Sequence, residues 1–293
     1  MSRSGRSQRG LKYSSRAIRY RYANMAMAFF REDPNTSFDF PDLTAAHSSA
    51  SVTASDARQI PLIAGKLRVP ETGDSLPRKW LAGVLAKSAK NSAATMIVGR
   101  AGTGKTTLAA EFVAGRPDVS WYSIDAVDGD WRTFQSYFRA AIFRDGGRAD
   151  LQTKLTVPEC GSPLDLFADI TAGLELRSRS WPSVLVLDGI HHFFDRPWFQ
   201  DFFDYLIAST PIDSHTIMLS RSKPPTPIWR LRSKQVLNVI DEKLLAFSLA
   251  EAQEFFAFHG VAEADAASAV AESFGHAGVL KTIARSLAAP AAA

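Results

Sequence analysis

Short apolar runs alternate with amphipathic stretches through the middle of this chain. Each run is four to six residues long, and most are followed by a stretch with apolar residues at helical spacing. Strands that are apolar on both faces and separated by helices are typical of a parallel sheet covered on both sides. The pattern predicts an α/β fold with strands at 94–98, 119–124, 184–187, 216–219 and 236–240.

Start and stop signals predict the helices between these strands. A helix from Lys105 to about Ala114 ends before Gly115, and Asp130 is the predicted N-cap of the next. After Asp241 the pattern becomes helical throughout. Further helices are predicted from Ser162-Pro163, over 197–208, and from a capping box at Ser248–Glu251.

The same pattern divides the chain into three parts. Residues 1–60 have no sustained period and are rich in Ser, Arg and Asp, which predicts an unstructured leader. Residues 61–242 are expected to form the α/β domain. Residues 243–293 are expected to form a truncated helical subdomain that ends in an alanine-rich tail.

Composition narrows the class of protein. The chain has 293 residues, of which 46% are hydrophobic and 22% charged, so it is ordinary globular material. Its single cysteine, Cys160, excludes an intramolecular disulfide framework and a cysteine-based zinc cluster. Apolar runs stay well below the ~20 residues that a transmembrane helix needs. We therefore expect a cytoplasmic protein without a membrane partner.

Positive charge is concentrated at the amino terminus. Eight basic residues precede Glu32, the first acidic residue, and the rest of the chain carries 26 basic and 30 acidic residues. Such an arm can contact nucleic acid or anionic lipid, or it can be a disordered leader that follows an early start codon. The basic residues are Arg3, Arg6, Arg9, Lys12, Arg16, Arg19, Arg21 and Arg31.

The segment after the first predicted strand matches the phosphate-binding pattern G-x-x-x-x-G-K-[ST] in full. Glycines let such a loop point its amides inward, and the helix N-terminus adds positive potential, so the loop can hold a nucleotide's phosphates. Lys105 would reach the β- and γ-phosphates, Thr106 would ligate Mg²⁺, and Thr107 would contact the α-phosphate. The loop residues are Gly99, Arg100, Ala101, Gly102, Thr103, Gly104, Lys105 and Thr106.

Asp188 ends an apolar strand, where a second Mg²⁺ contact is expected. Many hydrolases of this class carry another carboxylate directly afterwards, but Gly189 stands there. Hydrolysis is therefore predicted to be slow or absent, unless His191, His192 or a residue elsewhere acts as the base. Arg221, just after the fourth strand, is predicted to sense the γ-phosphate.

Seven segments in order resemble the nucleotide-binding domain of MalT-type regulators. These are LuxR-family transcriptional activators within the STAND class of signal-transduction P-loop NTPases, relatives of the NACHT and NB-ARC switches. The resemblance covers about residues 65–287. Besides the loop, the other six segments are 66–81 (matched at 66–70 and 76–81), 119–134, 184–191, 220–232, 248–256 and 275–280, with Gly189 and His276 departing from the family pattern.

This resemblance implies a five-stranded parallel sheet in the order 5-1-4-3-2, flanked by helices and followed by a small helical subdomain. It also implies ATP or ADP with Mg²⁺ as cofactor, and a switch between an ADP-bound resting state and an ATP-bound, self-associating state. The sensor arm and helix-turn-helix of those regulators have no counterpart here, so DNA contact would fall to the basic arm.

Three functions remain open. The first is an ATP/ADP-binding regulatory module with weak or no hydrolysis, which engages itself or a regulator partner. The second is an active P-loop ATPase with a non-standard base. The third is an interaction domain that holds its partner whatever the nucleotide.

Overall fold

The computed structural model describes residues 62–73, 75–143, 160–176, 179–225, 227–262 and 265–288. The predicted leader, 1–60, lies outside this range. All described residues fall in one compact unit, Asp56–Ala293. Its strands are β1 (Ala94–Val98), β2 (Val119–Ser123), β3 (Val184–Asp188), β4 (His215–Ser220) and β5 (Leu237–Ile240).

The five strands form one parallel sheet in the order β2-β3-β4-β1-β5. Read from the other edge, this is the predicted order 5-1-4-3-2, so the α/β P-loop NTPase fold is confirmed. In register, Val98 lies opposite Ser220, and Ser123 lies opposite Asp188. The phosphate-binding segment, Asp188 and Arg221 therefore all leave the sheet at its carboxyl edge.

Local signals set the helix ends. Asp130 accepts a hydrogen bond from the amide of Thr133 at 3.0 Å, and Ser248 and Glu251 form the predicted capping box. The helices are α1 (Lys79–Asn91), α2 (Lys105–Val113), α3 (Trp131–Ile142), α4 (Pro163–Leu176), α5 (Phe199–Ser209), α6 (Trp229–Ser233), α7 (Glu242–Leu245), α8 (Leu249–Phe258), α9 (Asp265–Ser273) and α10 (Ala277–Ala288).

Alternate strand residues feed two cores on opposite faces of the sheet. Helices α3, α4 and α5 cover one face with a dense aromatic cluster, in which Phe134 stacks on Trp198 at 4.7 Å between ring centroids. Helices α1 and α2 cover the other face. Because helices bury both faces of the sheet, the strands are unbroken apolar runs in the sequence.

A third core lies within the helical region after β5. Among its nine buried residues are four alanines and three phenylalanines, two of which are Phe255 and Phe256. Within the described ranges, no helix combines the length and the apolar character needed to cross a bilayer.

Candidate functional site

The loop from Gly99 to Thr106 curls between β1 and α2. Gly102 and Gly104 have φ values of +78° and +86°, in the left-handed region that side chains with a Cβ rarely adopt. These two glycines turn the chain so that it enters α2 at Lys105. Residues 102–108 line one pocket, so the end of the loop and the α2 N-terminus border the same concave space, where an anion site is expected.

Lys105 lies inside this curl and is almost fully buried. Its ammonium donates to the carbonyl oxygens of Gly99 at 2.5 Å and Arg100 at 2.7 Å. Burial lowers the pKa of Lys105, and the nearby Arg221 adds to this, against the opposing pull of Asp188. A desolvated ammonium held by weak carbonyl acceptors is well suited to a phosphate anion.

Thr106 and Asp188 meet across the mouth of the loop. The Thr106 hydroxyl donates to the Asp188 carboxylate at 2.8 Å between Oγ1 and Oδ2. Burial raises the pKa of Asp188, while the Thr106 hydrogen bond and the charges of Lys105 and Arg221 partly offset it. A hydroxyl and a carboxylate in contact form an oxygen donor pair of the kind that Mg²⁺ prefers, so these residues fit the predicted ion.

The backbone at Gly189 has a φ of +97°, again in the left-handed region. A Cβ added there would lie 2.4 Å from the carbonyl oxygen of Ile124, at the end of β2. The sequence shows only that Gly189 lacks a carboxylate. On this backbone, any side chain at position 189 would also collide with the end of β2.

His191 follows Asp188 in a 3₁₀ turn over Ile190–Phe193. Desolvation lowers its pKa to about 4, helped by the charges of His192, Arg221 and Lys105, so the imidazole is neutral at pH 7. Its Nδ1 is buried without a hydrogen-bond partner in the described part of the chain. His191 therefore combines a neutral ring with electrostatic proximity to the loop lysine.

Arg221 is exposed at the end of β4. Its charge acts on Lys105, Asp188 and His191, because the pKa of each is shifted by it. The sheet order thus brings together the loop, Asp188, His191 and Arg221, as the sequence predicts. The acidic residues near the end of β2 have structural roles instead: Asp125 and Asp130 are N-caps, and buried Asp128 pairs with Lys66 at 2.6 Å.

Residues 100–102 of the loop form hydrogen bonds with the helical region that follows β5. These contacts could not be predicted from the sequence. The Glu242 carboxylate accepts two hydrogen bonds from Arg100, one from the backbone amide at 3.1 Å and one from the side-chain Nε at 2.6 Å. His276 Nε2 donates to the carbonyl of Ala101 at 2.9 Å, since a carbonyl can only accept. The carbonyl of Gly102 accepts from the amide of Gly278 at 2.8 Å.

A pocket of about 350 Å³ opens beside the loop, between α2 and the helical region. It has apolar walls and several polar groups, a typical composition for a small-molecule site. Ser75 donates to Glu111 at 2.6 Å on its rim. Besides the loop residues 102–108, including Thr107, its lining comes from Thr72, Ser75, Leu76, Arg78, Leu81, Glu111, Phe247, Phe255, Ala277, Gly278 and Lys281.

Residues 88–218 match the family model described as an AAA domain. Two solved structures resemble the chain. One is a STAND protein with a tetratricopeptide repeat sensor from Pyrococcus horikoshii (20% identity, TM-score 0.46, 74% of this chain and 30% of that one). The other is a Walker-type ATPase of Pyrococcus abyssi (17% identity, TM-score 0.47, 73% and 69%).

The chain therefore spans less than a third of the length of the STAND protein and about two thirds of the Walker-type ATPase. The AAA match runs from the end of α1 to β4 and contains the loop and Asp188. The phosphate-binding motif and the sheet order give the P-loop NTPase fold, and residues 88–218 within it are similar to an AAA domain.

Proposed function

We propose that this chain is an ATP/ADP-binding switch module of the STAND type, related to MalT-like regulators, with weak or no hydrolysis. The observation that carries the proposal is that a complete phosphate-binding loop lies beside position 189, where the backbone leaves no room for a side chain. The loop, Lys105 and the Thr106–Asp188 contact supply what binding needs. A Cβ at position 189 would collide with the Ile124 carbonyl, so this backbone does not accept the carboxylate residue that many hydrolases carry there.

Each site residue has a part in this proposal. The loop amides and Lys105 would hold the β- and γ-phosphates, and Thr106 and Asp188 would hold Mg²⁺. The ion supplies positive charge that neutralises the phosphate oxygens. Arg221 would add a guanidinium that detects whether the γ-phosphate is present.

The hydrogen bonds of loop residues 100–102 support the proposed switching function. Arg100, Ala101 and Gly102 are bonded to Glu242, His276 and Gly278, so the loop and the helical region share hydrogen bonds. Any loop movement on phosphate binding would therefore act on the helical region. Self-association or engagement of a regulator partner in the ATP-bound state, and a role in transcription control, follow from the resemblance to the MalT-type regulators.

Equilibrium binding tests the nucleotide part of the proposal. We expect a fluorescent ADP analogue and its ATP counterpart to bind the purified chain, and the Lys105→Ala variant to lose at least tenfold in affinity. Thr106→Ala should lose the Mg²⁺-dependent part of the binding. The exposed Lys79→Ala variant is the charge-matched control. Unchanged affinity of Lys105→Ala would leave the nucleotide-independent interaction domain as the better description.

Phosphate release tests the hydrolysis part, and His191 defines the competing function. The second candidate is an active ATPase that uses His191, whose ring is unprotonated at neutral pH, as its base. The switch proposal expects almost no multiple-turnover phosphate release from the native chain. Brisk release that His191→Ala abolishes, with nucleotide affinity retained, would favour the enzyme.

A further inference from the structure

A groove of about 690 Å³ lies at the amino edge of the sheet, opposite the phosphate loop. The end of α1 forms one wall and α6 forms the other. Its floor is the start of the sheet, because Ser92 precedes β1 and Leu237 begins β5. Since the loop follows the carboxyl end of β1, an occupant of this groove and a nucleotide at the loop do not overlap.

The two walls are strongly basic in an otherwise acidic body. Residues 79–91 and 227–238 together contain six basic residues and no Asp or Glu, whereas the chain after Arg31 has more acidic than basic residues. Lys87 faces the groove from α1 and Arg232 faces it from α6. Among the described residues that line the groove, none is acidic. The charge of the walls complements an anionic occupant with phosphates at more than one position.

Between these cations lies an exposed aromatic ring. The side chain of Trp229 lines the groove with 63% of its surface exposed. The Arg230 guanidinium lies 5.3 Å from its ring, so the indole carries a cationic neighbour. Around it the groove presents amides, including those of Asn91 and Gln235. An exposed indole with an arginine beside it is a suitable stacking platform for a flat, unpaired base.

We infer that this groove binds single-stranded nucleic acid. Phosphates would contact Lys87 and Arg232, and a base would stack on Trp229. A base within a double helix is already stacked, so the geometry selects an unpaired strand. An acidic peptide matches the charge but leaves the indole and the amides without partners. The residues that line this groove lie at 84–238 in the sequence, outside the basic arm to which the sequence alone assigned any contact with DNA.

Fluorescence anisotropy of the full-length chain with a labelled oligothymidylate of about twelve nucleotides tests the inference. Trp229→Ala should weaken binding about fivefold to a hundredfold, and Trp229→Phe should restore most of the affinity. Lys87→Ala and Arg232→Ala should each weaken binding and reduce the slope of log affinity against log salt by about 0.7. The ADP analogue should bind these variants as it binds the parent.

Matched controls separate the groove from the arm. Trp80 is exposed on α1 away from the groove, and Arg285 is exposed on α10. Trp80→Ala and Arg285→Ala should therefore bind the oligonucleotide as the parent does. Equal affinity of the parent, Trp229→Ala and Arg232→Ala would overturn the inference, because binding would then belong to the arm. Equal competition by poly-glutamate that also depends on Trp229 would overturn it in favour of an acidic protein partner.

Discussion

At position 189 the conformation of the backbone determines which residue the site can hold after Asp188. Gly189 combines a left-handed φ with a Cβ position only 2.4 Å from the Ile124 carbonyl. A substitution there has to move the end of β2 or unwind the turn that carries His191. The missing carboxylate is thus a property of the fold around the residue as well as of the residue itself.

Gly189→Asp is therefore expected to destabilise the chain. The left-handed backbone alone costs about 1–3 kcal/mol with a side chain, and the overlap with a carbonyl adds to this. The free energy of unfolding from denaturant titration measures the effect. Gly83→Ala is the matched control: it lies in α1 with open space around its Cβ position, so it should stabilise by about 0.5–1 kcal/mol. A fully stable Gly189→Asp variant would contradict the blocked position.

His215 illustrates how a buried polar residue can be fixed in one tautomer. Its Nδ1 lies 2.9 Å from the carbonyl of Ser92, which can only accept, so Nδ1 carries the proton. Nε2 then accepts from the Thr95 hydroxyl at 2.8 Å, and Thr95 accepts from Ser88 at 2.6 Å. Desolvation lowers the pKa of His215 to about 4, while the hydrogen bond to Ser92 opposes this shift and the charge of Arg116 adds to it. Protonation of Nε2 would also break the hydrogen bond that it accepts from Thr95.

The lowered pKa predicts acid sensitivity. The folded pKa lies below the unfolded value of about 6.5, so the unfolded state binds protons first as the pH falls. The stabilisation is complete above pH 6.5 and declines between about pH 6.5 and 4, by up to about 3 kcal/mol. His215→Gln should remove this dependence, so the stability gap between parent and variant narrows with falling pH. Parallel pH profiles would contradict the assignment.

At the scale of elements, Arg78 ties the start of α1 to the helical region. Its guanidinium donates to the carbonyls of Leu245 and Ala246 at 2.6 and 3.1 Å, and to Glu251 at 3.0 Å. It also lies 4.1 Å from the ring of Phe247. One side chain thus satisfies the carbonyls at the end of α7 and anchors the first turn of α8.

We expect Arg78→Met to loosen this junction without unfolding the sheet. Removing a guanidinium that serves buried carbonyls leaves acceptors unpaired, a cost of about 1–3 kcal/mol each. Hydrogen exchange should rise over residues 245–258 and stay slow in β1, β3 and β4. Lys79→Met is the control at the adjacent exposed position. Equal protection in both variants would show that Arg78 is dispensable.

The elements that the sequence predicts well are those fixed by local pattern. The strands were predicted because both their faces are dry, and Asp130 and Ser248 mark helix starts through their own hydrogen bonds. Lys105 and Asp188 could be predicted because each belongs to a short contiguous pattern. Lys105 lies in the phosphate-binding motif, and Asp188 lies at the end of an apolar strand. The contact of Ala101 with His276 spans 175 positions, and no local pattern encodes such a distance.

For the whole molecule, the pocket beside the loop joins parts of the chain that are far apart in sequence. Its walls come from residues 72–81, from the loop and α2, and from the helical region at 247–281. The helical region has its own core, which is small and rich in alanine. A core of this size stabilises weakly, so the contacts with the loop carry much of its order.

Nucleotide binding should therefore protect the helical region more than the sheet. Without nucleotide, we expect α8, α9 and α10 to exchange their amides through an opening of lower free energy than global unfolding. If a bound nucleotide requires this region to be closed, Mg-ADP at a hundred times its dissociation constant should raise the opening free energy by about 2.7 kcal/mol. Native-state hydrogen exchange measures this residue by residue, and Lys105→Ala should show no gain. Equal protection of α8–α10 with and without Mg-ADP, while the loop itself is protected, would mean that nucleotide binds without engaging the helical region.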